Sequence, residues 1–124
     1  MSLLAKLLPS RTDRQLRGQK AEDDALAYLQ RKGLTLVERN FSCKGGEIDL
    51  VMKDGHGLVF IEVRQRSGAA YGGAAASVDS RKQQRVVRAA QIYLQRFTMP
   101  PACRIDVIAI DGGELSWIKD AVQS

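Results

Sequence analysis

The segment Gly46-Glu47-Ile48-Asp49-Leu50-Val51-Met52 is followed, after Lys53-Asp54-Gly55-His56-Gly57, by Leu58-Val59-Phe60-Ile61-Glu62-Val63-Arg64. Both runs are rich in β-branched and large apolar residues and have the length of strands, and the linker between them is built of turn formers. A two-residue loop at Gly55-His56 and a four-residue loop over Asp54 to Gly57 set the same antiparallel register. In that register Asp49 lies opposite Glu62, Val51 opposite Phe60 and Glu47 opposite Arg64. Ile48, Leu50, Ile61 and Val63 point to the other face. Side chains directly opposite each other in a hairpin have Cβ atoms roughly 5 Å apart, and like charges at that distance repel. Two exposed acids on a solvated face would avoid the conflict, but Val51 and Phe60 share that face and argue that it is at least half covered. A divalent cation removes the repulsion: two carboxylates from adjacent strands, completed by water, form the open oxygen site that Mg2+, or Mn2+ in its place, prefers.

Upstream, a helical period runs from Gln15 to Lys32 and ends at Gly33, the residue a helix C-terminus favours. A short strand over Leu34 to Glu38 follows. Glu22 shares a stripe with Ala25, Leu26 and Leu29, whereas Asp23 and Asp24 fall on other faces. An acid on an apolar stripe wants a partner, so Glu22 is either a third member of the acid cluster or half of a salt bridge at the helix rim. Gly18, one turn earlier, allows a close approach to the sheet. Downstream, residues 67–77, SGAAYGGAAAS, lack bulky apolar groups and read as a flexible loop. Ser80 with Gln83 matches a capping box, and Val86, Ala90, Tyr93, Leu94 and Phe97 share one helical face. Pro100 and Pro101 stop that helix. Cys103 to Ile110 reads as a strand, and Asp111-Gly112-Gly113 turns the chain into a last strand over Leu115 to Ile118. The order αβββαββ predicts an α/β fold, a mixed central sheet of about five strands flanked by helices.

A chain of 124 residues supports one core, here residues 15–124, preceded by a basic arm over residues 1–14. The net charge of +5 is uneven, with positive surplus in residues 1–20 and 61–100. Clustered Lys and Arg suit a polyanion such as nucleic acid, or an anionic membrane surface. Arg81, Arg85 and Arg88, at i, i+4 and i+7, form a basic stripe opposite the apolar face of the second helix, with Arg64 and Arg66 across the loop. As phosphate contacts they would position a duplex without reading its sequence; a solvated helix face is the alternative. Lys82 either reaches the acid pair or points to solvent.

The first residues, MSLLAKLLPS, are interrupted by Lys6 and stopped by Pro9, fitting neither a secretory signal nor a spanning helix. A cytoplasmic protein with no membrane segment is expected. Cys43 and Cys103 match neither a metal spacing nor a disulfide framework and read as reduced thiols, which leaves the sequon Asn40-Phe41-Ser42 a chance match. His56 reads as a turn residue and Trp117 as packing.

Taken together, Gly18 and Glu22, NFSCKGGEIDLV, LVFIEVRQR, the helix with Lys82 and Arg85, and CRIDVIAI resemble the YraN family of small bacterial proteins, over roughly residues 15–122. That family is similar to the restriction-endonuclease-like superfamily, whose motif places an acid on one strand and acid, any residue, Lys on the next. Holliday-junction resolvases share such a core, with a Glu on the first helix. The resemblance implies a restriction-endonuclease-like core and a metal-dependent nuclease that hydrolyses phosphodiesters of nucleic acid, DNA in the first place. Carried over by position, Glu22, Asp49 and Glu62 match the metal-binding acids, and the carbonyl of Val63 matches a backbone ligand.

Arg64 departs from the pattern, standing where the superfamily has Lys. A guanidinium cannot be deprotonated, so Arg64 is no general base, and its catalytic role is limited to stabilising charge on the phosphate. The departure leaves open whether the chain is an enzyme or a catalytically silent nucleic-acid-binding module. A third reading, a basic scaffold for another protein, fits the charge blocks less well. A homodimer is an open assembly state.

Overall fold

A computed structural model describes residues 12–66 and 80–122. The loop expected over residues 67–77 and most of the expected basic arm lie outside these residues. Helix α1, Asp13–Arg31, begins two residues before the apolar period does. The cause is a capping box one turn upstream: Gln15 N donates to Thr12 Oγ1 at 3.1 Å, and Thr12 N donates to Gln15 Oε1 at 2.9 Å. Its other end closes as expected at Gly33, whose φ of 96° few side chains tolerate. There Leu34 N bonds Leu29 O and Gly33 N bonds Gln30 O, the paired contacts that satisfy the last carbonyls.

Five strands follow in the order β1, Thr35–Cys43; β2, Gly46–Asp54; β3, Gly57–Arg66; β4, Cys103–Asp111; β5, Glu114–Val122. They form one sheet in sequence order, antiparallel throughout except for the parallel pair β3 and β4. Helix α2, Ser80–Leu94, lies between those two strands in the chain, as a parallel pair requires. The α/β order expected from the sequence is therefore present. Strand β1 runs five residues beyond the expected Glu38, because Arg39 and Phe41 to Cys43 pair with β2 across the tight turn at Lys44-Gly45. Conversely, α2 ends at Leu94, so Phe97 lies in the turns beyond it and is 37% exposed rather than on the apolar helical face. Ser80, the expected cap, is the first residue of α2, and the residue before it lies outside the described residues.

Among the described residues, one helix covers each face of the sheet. On one side Ala21, Ala25 and Leu29 of α1 pack with Leu50, Met52, Val59, Ile61, Ile108 and Ile110. On the other, Val86, Ala89, Ala90 and Tyr93 of α2 pack with Ile48, Val51, Phe60, Ile105 and Val107. The second contact is close at Gly46: a methyl group there would overlap the carbonyl oxygen of Arg85. Gly46 thus sets how near α2 lies to the start of β2, two residues before Ile48 and three before Asp49. Among the described residues no helix is long and apolar enough to cross a membrane.

The expected alternation along β2 fails at one place. Ile48 packs with Val51 and Phe60, while Leu50 packs on the opposite face. Asn40 explains the change: it lies between the pairs Arg39 with Leu50 and Phe41 with Ile48, across from Asp49, and has a left-handed φ of 54°. That conformation breaks the pleat of β1, and a break in one strand re-aims the side chains of its neighbour.

Candidate active site

The β2–β3 register is the expected one from Asp54 with Gly57 to Leu50 with Ile61. The next pair in that register would be Asp49 with Glu62, and there the ladder stops. Val63 N donates to the Asp49 carboxylate at 2.8 Å. From this point β3 continues alongside β4, from Glu62 with Val107 to Arg66 with Asp111. The two strands fork, and the two acids stand in the fork. A cavity of about 560 Å³ opens there, bounded by Arg17, Gly18, Ala21 and Glu22 of α1, Glu47 and Asp49 of β2, Glu62 to Arg66 of β3 and Lys82 of α2.

Burial dominates the chemistry of the pair. Glu62 is 3% exposed, and burial, reinforced by the charge of Asp49, pushes its carboxyl up to about 8 against the opposing effect of Arg64. Asp49 is raised to about 6, again chiefly by burial, with the Val63 N–H opposing and Glu22 adding to the rise. One oxygen of Glu62 pairs with the Arg64 guanidinium. The other, Oε2, is buried with no donor facing it, so that the Glu62 carboxyl can bond Asp49 only by sharing a proton with it, and Arg64 Nε is buried without an acceptor. A buried polar atom left unpaired costs about 1–3 kcal/mol. A partnerless carboxylate oxygen beside a second carboxylate is what a hard cation binds, so the donor set of Asp49 and Glu62 fits Mg2+ or Mn2+.

Glu22 takes the salt-bridge alternative while still facing the cavity. It lines the cavity, and it accepts from Arg39 of β1, Nη2 at 3.0 Å and Nε at 3.2 Å. Because Arg39 occupies that carboxylate, Glu22 is not gathered with Asp49 and Glu62: no cluster of three or more His, Cys, Asp or Glu side chains suited to a metal occurs among the described residues. Arg64 turns to Glu62, two residues back on its own strand, and not to Glu47 as the simple register predicts. Lys82, which the sequence leaves between cavity and solvent, is half-buried and lines the cavity. Val63 and Arg66 line it too. Arg81, Arg85 and Arg88 are exposed and lie outside it, with the Arg88 stem against the turn at Gly45.

Arg17, Ala21 and Gln65 line the cavity and went unread in the sequence, whereas the sequence places Glu47 opposite Arg64 on the acid face. Arg17 lies one turn before Ala21 on α1, Glu47 two residues before Asp49, and Gln65 two after Val63. Helical spacing marks Arg17 from Ala21, but strand alternation from Glu62 places Gln65 on the opposite face and does not mark it.

The model for the family described as "Uncharacterised protein family UPF0102" matches residues 21–110, a span that contains Glu22, Asp49, Glu62, Arg64 and Lys82. The chain belongs to this family. A UPF0102 protein of Herminiimonas arsenicoxydans is 60% identical over 124 residues, covering 100% of both chains. Another from Janthinobacterium sp. (strain Marseille) is also 60% identical over the full length of both. A UPF0102 protein of Methylibium petroleiphilum is 55% identical over 111 residues, 84% of this chain and 91% of the relative. UPF0102 is the family to which the YraN resemblance points. Its description assigns no activity, so function rests on the cavity itself.

Proposed function

We propose that this UPF0102 chain is a metal-dependent nuclease, acting in the cytoplasm on DNA held at the forked end of β2 and β3. One observation carries the proposal: a buried acid pair with a partnerless oxygen lies in the same cavity as four basic side chains, Arg17, Arg64, Arg66 and Lys82. Acids alone would repel a phosphodiester, and bases alone would hold it without chemistry. Asp49 and Glu62 would hold a divalent cation, with the Val63 carbonyl and Glu22 at its margin. Such an ion supplies Lewis-acid neutralisation of the phosphate and a nucleophilic water. Arg64 and Lys82 place positive charge where the phosphate gains negative charge, and Lys82 contributes the ammonium that β3 lacks at Arg64. Arg81, Arg85 and Arg88 extend the positive surface beyond the cavity and hold the duplex by its backbone.

A second reading has its own support. Arg64 already neutralises Glu62, and Arg39 holds Glu22, which suits a module that binds nucleic acid without cutting it.

Incubation of purified protein with Mg2+ or Mn2+ on duplex, flap and four-way-junction DNA separates the two. Cleavage is expected, abolished in Asp49→Asn and Glu62→Gln and lowered roughly 100-fold in Lys82→Met. Salt-sensitive binding without cleavage on any substrate establishes the silent module instead. Protein that binds none of the substrates overturns both.

A further inference from the structure

A second cavity, of about 340 Å³, adjoins the acid cavity at Glu22. It is lined by Gln15, Gln19, Glu22, Arg39 and Asn40, and Glu22 lines both cavities. Gln15, Gln19 and Glu22 fall at i, i+4 and i+7 of α1, one continuous stripe that leads from one cavity to the other. The chemistry changes along it. The acid cavity carries four cations; the second carries three amides and one guanidinium whose charge is already met.

Arg39 donates to Glu22 at 3.0 and 3.2 Å and to Asp23 at 2.7 Å, with its side chain 31% exposed. Held and neutralised by two carboxylates, it is a poor phosphate ligand and a good planar surface, since a guanidinium stacks on flat π systems. The amides of Gln19 and Asn40 make no hydrogen bond among the described residues. A primary amide offers a donor and an acceptor side by side, the arrangement that pairs with the edge of a nucleobase. Asn40 is placed by the left-handed backbone that also breaks the pleat opposite Asp49. The volume is at the small end of ligand sites, suited to one nucleotide and not to a duplex.

We infer that this groove is a subsite for an unpaired nucleotide next to the phosphodiester held at the acid pair. The base stacks on Arg39 and is read at its edge by Gln19 and Asn40. A paired base keeps its faces in the duplex stack and its Watson–Crick edge on its complement, so it cannot stack on Arg39, and the subsite favours single-stranded or flapped substrates over blunt duplex. This inference rests on the nucleic-acid reading above.

Fluorescence anisotropy with a labelled single strand, a flapped duplex and a blunt duplex tests it, using the double variant Gln19→Ala/Asn40→Gly. Glycine keeps the left-handed conformation without strain, so only the amides are lost. The variant is expected to bind single strand and flap about tenfold more weakly, with blunt-duplex affinity and melting temperature unchanged. The salt slope should also stay the same, because amides release no counterions. Arg39→Lys, which keeps the charge and removes the plane, should weaken the same two substrates. Unchanged single-strand affinity in the folded double variant overturns the subsite alone, as does equal weakening on all three substrates. Wild-type protein that binds none of them overturns the nucleic-acid reading and the subsite together.

Discussion

Asp106 and Glu62 are buried in this sheet in opposite ways. Asp106 on β4 is fully buried, and every direction around it is answered: Arg104 Nε reaches both oxygens at 3.1 Å, Trp117 Nε1 donates at 2.9 Å and Asp120 N at 2.8 Å. Asp120 has a left-handed φ of 52°, and the register of β4 and β5 shifts between Ile105 and Val107. The carboxylate pins an irregular sheet edge in place. Asp49 and Glu62 sit in an equally irregular place, the fork of β2 and β3, yet Glu62 keeps a buried oxygen without a partner. A buried acid whose lone pairs are all satisfied serves structure. One that remains unsatisfied in a cavity is available to a ligand.

The largest expected effect is at Asp106. Asp106→Ala takes the acceptor from Arg104 Nε, the Trp117 N–H and the Asp120 N–H, while Arg104 Nη2 keeps Asp54 at 3.3 Å, and each buried donor so stranded costs about 1–3 kcal/mol. Urea unfolding measures it. Glu62→Gln, which at neutral pH replaces a carboxyl that already holds its proton, should be nearly neutral in metal-free protein. A larger loss at Glu62 than at Asp106 would reverse the comparison.

A smaller effect lies in the pH dependence of the metal-free protein. Folded Glu62 keeps its proton to about 8 against an ordinary 4.5, and Asp49 to about 6 against 3.8. Between the ordinary and raised values the native state binds more protons than the unfolded chain, so these acids make stability fall as pH rises. Their contribution is whole below both windows and lost above both. Unfolding free energies at about pH 5 and about pH 8 should show the fall, and Glu62→Gln should remove most of it. Excess Mg2+ should flatten the trend, because a cation takes the deprotonated carboxylates and binds more tightly as pH rises. A slope that Glu62→Gln leaves untouched would place the titration elsewhere.

The smallest effect concerns Arg64, the built-in counter-charge of Glu62. Arg64→Lys restores the superfamily pattern at constant net charge and exchanges a fixed planar fork for a mobile point charge. Metal-dependent cleavage is expected to rise about tenfold, or about 1.4 kcal/mol of transition-state energy. A fall would show instead that Arg64 is adapted to this cavity.

Local periodicity determined much of this protein. The hairpin of β2 and β3, its register, the stop of α1 at Gly33 and the apolar face of α2 all follow from neighbours within a few residues, where backbone geometry dictates who meets whom. For that reason Asp49 and Glu62 could be paired from the sequence alone. Only the tertiary structure decided the rest. Glu22 finds Arg39 across 17 positions, and Lys82 enters the cavity because Gly46 lets α2 press onto β2. Ile48 changes face because Asn40, on another strand, is left-handed. Such contacts depend on how separate elements pack, on a single close approach or a single reversed φ, and a pattern read along one segment carries no record of what another segment will bring against it.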